Sequence, residues 1–131
     1  IILYEMVREP RIIPLDGRPS IDSKIRQWMG DPRGRWEGET LVIDTTNFTN
    51  HGGGNAFEVP SGAGKHLIER LTLSADGKHL NYEWVLEDPE YMTEPVVGDG
   101  RWEYRPDLNR QPLDCNPEVS RRFIERMTPR E

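Results

Sequence analysis

The chain has 131 residues, 34% of them hydrophobic and 31% charged, with a formal net charge of −6; that is the size of one domain with a modest core. The acidic balance argues against nucleic acid, which needs a basic face, and against an anionic membrane surface. No apolar run approaches the ~20 residues of a spanning helix, and the lone Cys115 leaves neither a disulfide within these residues nor a cysteine-based zinc site.

In chain order, "IILYEMV" (1–7) and "RIIPL" (11–15) read as short strands broken by Pro10. Pro14 belongs at an edge or bulge, because it cannot donate to a ladder. The stretch 20–30 has Ile21, Ile25 and Trp28 at i, i+4 and i+7, which predicts a short helix capped by Ser20 and stopped by Gly30. Residues 34–48 form a hairpin whose Gly38-Glu39 turn suits type II′, pairing Trp36 with Leu41. A Gly-rich stretch from Thr49 to about Gly64 keeps neither strand nor helix period; loops this long are commonly functional or disordered.

Residues 65–89 carry the clearest pattern. Leu67, Glu69, Leu71 and Leu73 share one face of a strand, and Leu80, Tyr82, Trp84 and Leu86 share one face of the next. A two- or four-residue turn around Ala75-Asp76-Gly77 brings these faces together, whereas a three-residue turn opposes leucines to Asn81 and Glu83. "YMTEPVV" and "GRWEYRP" then suggest two short strands turned by "GDG", and 116–127 a helix with Val119, Phe123, Ile124 and Met127 as its stripe. The sum is a mainly β domain over 1–131: an antiparallel meander forming a curved sheet or small barrel, with one or two short peripheral helices.

Candidate chemistry is sparse. "SGAGKH" lacks the glycine, the Ser/Thr and the following helix of a phosphate loop. His51, His66 and His79 have no metal-ligand spacing, so neither metal nor cofactor is expected. The best lead is Glu69, a carboxylate on an apolar face beside Tyr82 or Trp84. Burial there is costly without a partner and would raise its pKa toward acid–base use. Arg70 and Glu83 fall on the opposite face, placed for a cross-strand ion pair. Along 40–48 the faces divide into Thr40, Val42, Asp44, Thr46, Phe48 and Leu41, Ile43, Thr45, Asn47, and both turn polar toward the loop. Asp44 is the second candidate carboxylate. Thr46, Asn47, Arg70, Tyr82 and Trp84 are candidate ligand contacts, and Asx and Thr side chains bonding the loop backbone are the alternative use of the polar end. Trp36 and Trp84 read as core on pairing grounds; Trp102 alternates with Glu103 and Tyr104, which leaves its exposure open, and core packing is the expected role of each.

The strings "YEMVREPRIIPLDGRP", "IRQWMGDPRGRWEGETLVIDTTNF", "LIERLTL" and "LNYEWVLEDPEYMTEP" resemble a family of hypothetical exported bacterial proteins over about Tyr4 to Pro95. The resemblance implies that this chain is the C-terminal part of a longer precursor, in a periplasmic or extracellular setting. It implies a core signature of Arg11, Asp16, Arg18, Trp36, Gly38, Asn47, Glu69, Asp88 and Pro89. Ser20 stands where members often have His, and the tail lacks the His-containing ending of many members, so a metal site built on those histidines is not expected here.

Three functions follow as expectations: a domain that binds a small molecule or a protein partner at a sheet or barrel rim; an acid–base enzyme (lyase, isomerase or hydrolase) using Glu69 and Asp44; or a subunit of a larger assembly, paired through the apolar N-terminal strand.

Overall fold

A computed structural model describes residues 1–4, 10–50, 60–109, 118 and 121. Among them are seven strands: β1 (Ile2–Leu3), β2 (Pro10–Arg11), β3 (Asp31–Glu37), β4 (Thr40–Thr46), β5 (His66–Leu73), β6 (His79–Glu87) and β7 (Val96–Glu103). β1 and β2 pair antiparallel as a two-stranded sheet, and β3 to β7 form an antiparallel meander in sequence order. The meander is open, with β3 and β7 as its edges, so the small-barrel alternative does not hold.

Both central hairpins follow from pattern. Gly38 takes φ 62°, which a side chain would resist, and Trp36 pairs with Leu41. Between β5 and β6, Leu73 pairs with Leu80, and the Ser74 N–H donates to the His79 carbonyl at 2.9 Å, leaving a four-residue turn. One face of the meander therefore carries Leu41, Ile43, Thr45, Leu67, Glu69, Leu71, Tyr82 and Trp84. Residues 13–15 lie over this face. The Gly34 N–H donates to the Pro14 carbonyl at 2.9 Å, and a Cβ on Gly34 would strike Leu15 and Ile13.

Four expectations are corrected. Residues 20–30 are not helical. Asn47 Nδ2 donates to the carbonyls of Ile21 and Asp22 (3.1 Å each), and the Gln27 N–H donates to the Asn47 carbonyl (2.8 Å), so tertiary bonds tie this backbone, which runs through short turns, to the residues that follow β4. Ile25 and Trp28 are accordingly exposed. "GDG" is not a turn: β7 runs unbroken through it, with Gly98 opposite Trp84 and Gly100 opposite Tyr82. The Trp84 indole lies so close to Gly98 that an added Cβ would sit 2.4 Å from Cζ2. Gly98 is thus a gap for an aromatic ring from β6 rather than a break, whereas a Cβ at Gly100 would meet the Tyr82 ring at an ordinary 3.9 Å. Trp36 is not core but 61% exposed, because it lies on edge strand β3. Arg70 faces Glu83 in register but donates instead to Glu37 Oε2 at 2.9 Å.

"IILYEMV" is a strand only at Ile2–Leu3 among its described residues, and its partner is β2 of the same chain. The expected helix at 116–127 lies outside the described residues except at Glu118 and Arg121, which are helical. No helix among the described residues is long and apolar enough to cross a membrane.

The interior is unusually polar. Among the described residues Val42, Ile43, Phe48 and Leu71 are the buried hydrophobics, whereas Arg11, Asp31, Thr45, Asn47, Ser61, Glu69 and Asp88 are buried polar or charged groups. Such groups persist inside a fold when hydrogen-bonded or paired, so the polar bonds decide where the functional surface lies.

Candidate functional site

Glu69 is brought inside by its register. It pairs with Ile43 on one side and Trp84 on the other, at the centre of the sheet, and is 4% exposed. Its partner is Arg11, delivered by β2. Arg11 Nη1 donates to Oε1 at 2.9 Å and Nη2 donates to Oε2, a two-point ion pair. Arg11 Nη2 also donates to Thr45 Oγ1 at 2.7 Å, and Tyr82 Oη donates to Glu69 Oε1 at 2.8 Å. Burial pulls the Arg11 pKa down, but the bonds and charge of Glu69, with help from Tyr4, outweigh it and the net shift is upward. Burial, then the Glu69 charge, pushes the Tyr82 phenol well above its ordinary value.

Above this network opens a cavity of about 400 Å³. Arg11, Glu69 and Tyr82 form its polar end. Met29, Phe48 and Leu67 supply apolar wall, and the exposed Trp28 stands at its mouth. Phe48 was expected on the Asp44 face. It reaches this one because Asn47 takes φ 57°, the left-handed region open to Asn, which breaks the alternation after β4. Lys65 and Ser61 close the remaining side. The Lys65 ammonium lies 4.4 Å above the Phe48 ring centre, a cation–π contact. Burial lowers the Lys65 pKa, opposed by the charge of Asp88. Asp88, itself buried, accepts the Gly62 N–H at 2.7 Å, and Glu90 accepts the Ala63 N–H at 2.9 Å. Arg26 donates to the Ala63 carbonyl. These bonds hold Ser61 in the cavity wall.

Two buried polar atoms of residues lining the cavity have no hydrogen-bond partner among the described residues: Ser61 Oγ and Arg11 Nε. Native interiors rarely leave donors unmade, because each costs desolvation without return.

The candidate residues divide across the sheet. Glu69 and Tyr82 line the cavity. Trp84 shares their face but covers Gly98 and is not part of the lining. Asn47 spends its side chain on the backbone carbonyls of Ile21 and Asp22, upstream of β3, rather than on the loop that follows β4. Asp44, Thr46 and Arg70 point to the opposite face. There Asp44 Oδ1 lies 2.9 Å from His66 Nε2, and Glu87 Oε2 lies 3.1 Å from His66 Nδ1. Glu69 and Asp44 therefore do not open on a common pocket. In addition, both oxygens of Glu69 already accept hydrogen bonds, from Arg11 and Tyr82.

Arg11, Ser61 and Lys65 went unassigned as site residues. A signal for Arg11 existed: a carboxylate facing inward demands a cation, and Arg11 lies beside the apolar Ile12-Ile13. Of the Gly-rich stretch, residues 51–59, with His51, lie outside the described residues.

A second cleft of about 270 Å³ occupies the turn end of the same face, between Leu15, Trp36, Leu73 and Trp102. Trp102 stacks on Tyr82 there, with ring centres 5.1 Å apart. Among the described residues no group of three or more His, Cys, Asp and Glu side chains could hold a metal ion. No family model, curated protein or solved structure matches the chain.

Proposed function

We propose that this is an exported β-rich domain that binds a small organic molecule in the cavity above the Arg11–Glu69 pair. The observation that carries the reading is a cavity of about 400 Å³ with apolar walls, a polar end in which Arg11, Glu69 and Tyr82 are bonded to one another, and a buried Ser61 Oγ in its wall with no partner among the described residues. Small-molecule sites combine apolar lining with a few placed polar groups in this way. The bonds within the polar end fix its shape in advance, which lowers the ordering cost of binding. The exported setting rests on the resemblance described above and is compatible with a single cysteine. The acid–base alternative receives no support, because its two carboxylates face opposite sides of the sheet.

A fragment library screened by ¹H–¹⁵N correlation spectra tests the proposal. Binders should shift the amides of Met29, Phe48 and Leu67 as one cluster, and Leu67→Trp, which fills the cavity, should abolish those shifts while leaving the spectrum folded. A library that yields no hits at this cluster overturns the reading.

A further inference from the structure

We infer that the free edge of β7 joins the same edge of a second copy of this chain, antiparallel about a two-fold axis at Gly100, so that Asp99 of each copy meets Arg101 of the other. The inference is independent of the ligand cavity.

The two edges of the meander are not alike. On β3, Pro32 has no N–H, and the Gly34 N–H is taken by the Pro14 carbonyl at 2.9 Å. Proline and a covering segment are ways in which folded proteins blunt an edge. β7 carries no proline in its eight residues, and Val97 is 70% exposed. Bonded and non-bonded pairs alternate along an antiparallel ladder. The Tyr104 N–H donates to the Lys78 carbonyl at 2.8 Å, which fixes the phase of that alternation. The even-numbered residues of β7 therefore bond to β6, and the N–H and C=O groups of Val97, Asp99, Arg101 and Glu103 point outward.

The side chains of the same four residues share the sheet face opposite the cavity, and they select the partner. Asp99 stands directly opposite Glu83 of β6. The phase makes this a non-hydrogen-bonded pair, in which side chains approach most closely and like charges are unfavourable. Arg70, on the far side of Glu83, donates to Glu37 instead. Among the described residues, Glu83, Asp99 and Arg101 make no side-chain hydrogen bond or ion pair. The carboxylates thus lack a cation that the edge of a second copy supplies. With Gly100 opposite itself, Asp99 faces Arg101 twice and Val97 faces Glu103 twice. All four are outward-facing positions, so backbone donors meet acceptors. Moving the axis to Asp99 opposes Asp99 to itself. Moving it to Arg101 opposes Arg101 to itself and Asp99 to Glu103. Charge therefore favours the Gly100 register over both neighbours, and on the cavity face glycine brings no side chain to the axis. The contact is isologous, the same patch on each copy, and closes as a dimer.

Sedimentation velocity of the whole chain over a concentration series at low salt tests this. The unsubstituted chain should dimerise. Asp99→Arg sets arginine against arginine and Arg101→Asp sets aspartate against aspartate, so each alone should weaken the dimer about tenfold or more. Mixed in equal amounts, the two variants regain both opposite-charge pairs and should dimerise again, as should the double variant Asp99→Arg/Arg101→Asp. Both positions are exposed, and unchanged circular dichroism verifies that each variant is folded. A chain that remains monomeric at about 1 mM overturns the inference. So does a dimer that both single variants leave intact, or single variants that fail to pair when mixed.

Discussion

Arg11 and Glu69, 58 positions apart, meet as a two-point ion pair with each side chain 5% exposed. The pair fastens the β1–β2 sheet to the centre of the meander and forms the closed end of the cavity. Breaking a buried pair from one side leaves an uncompensated charge inside the fold. Arg11→Met or Glu69→Gln should therefore cost about 3–5 kcal/mol in urea unfolding, and the Arg11→Met/Glu69→Leu double variant much less than the sum. Single losses below about 1 kcal/mol would mean that the pair is solvated.

Tyr82 gives a pH dependence of known sign. Its folded pKa is raised above the ordinary 10.0 by burial and by the Glu69 charge. The unfolded chain thus releases this proton first as pH rises. The contribution to stability is complete below pH 10 and declines above it. Unfolding free energy followed from pH 8 upward should fall along an alkaline limb that Tyr82→Phe reduces, and an unchanged limb would contradict the assignment.

Much of the scaffold was legible. The β5–β6 hairpin could be read from leucine alternation and a turn signature, and the inward position of Glu69 followed from it. What misled were residues whose roles are set from far away in sequence. Ile21, Ile25 and Trp28 have helical spacing, but Asn47 binds the carbonyls a helix would need. "GDG" has turn composition, but the Trp84 ring needs a position without a side chain at Gly98 on the neighbouring strand. Arg11 resembles any surface arginine until its partner on β5 is placed. Local periodicity cannot report such long-range demands, and the cavity is built from them.

The Trp84–Gly98 contact can be tested by adding one methyl group. Gly98→Ala should displace the indole and cost about 1–3 kcal/mol. Combined with Trp84→Leu, most of that cost should vanish, a coupling visible in a double-mutant cycle. Additive effects would show that the ring does not lie on the glycine.

Asn47 combines an unusual backbone with two side-chain bonds. Asn47→Gly keeps the φ of 57° accessible and loses the bonds to Ile21 and Asp22. Asn47→Ala loses both and should be less stable than Asn47→Gly by about 1 kcal/mol. In either variant, amide exchange should quicken at Gln27 and Thr49, whose N–H groups bridge the two segments. Equal stability of the two variants would argue against backbone strain at this position.

The ligand site itself is tested most directly by intermolecular nuclear Overhauser effects from a bound hit of the fragment screen. Contacts from the fragment's protons to the side chains of Phe48, Met29 and Leu67 are the predicted result. Contacts to Trp36, Leu73 and Trp102 at the other cleft, or contacts to neither, would contradict it.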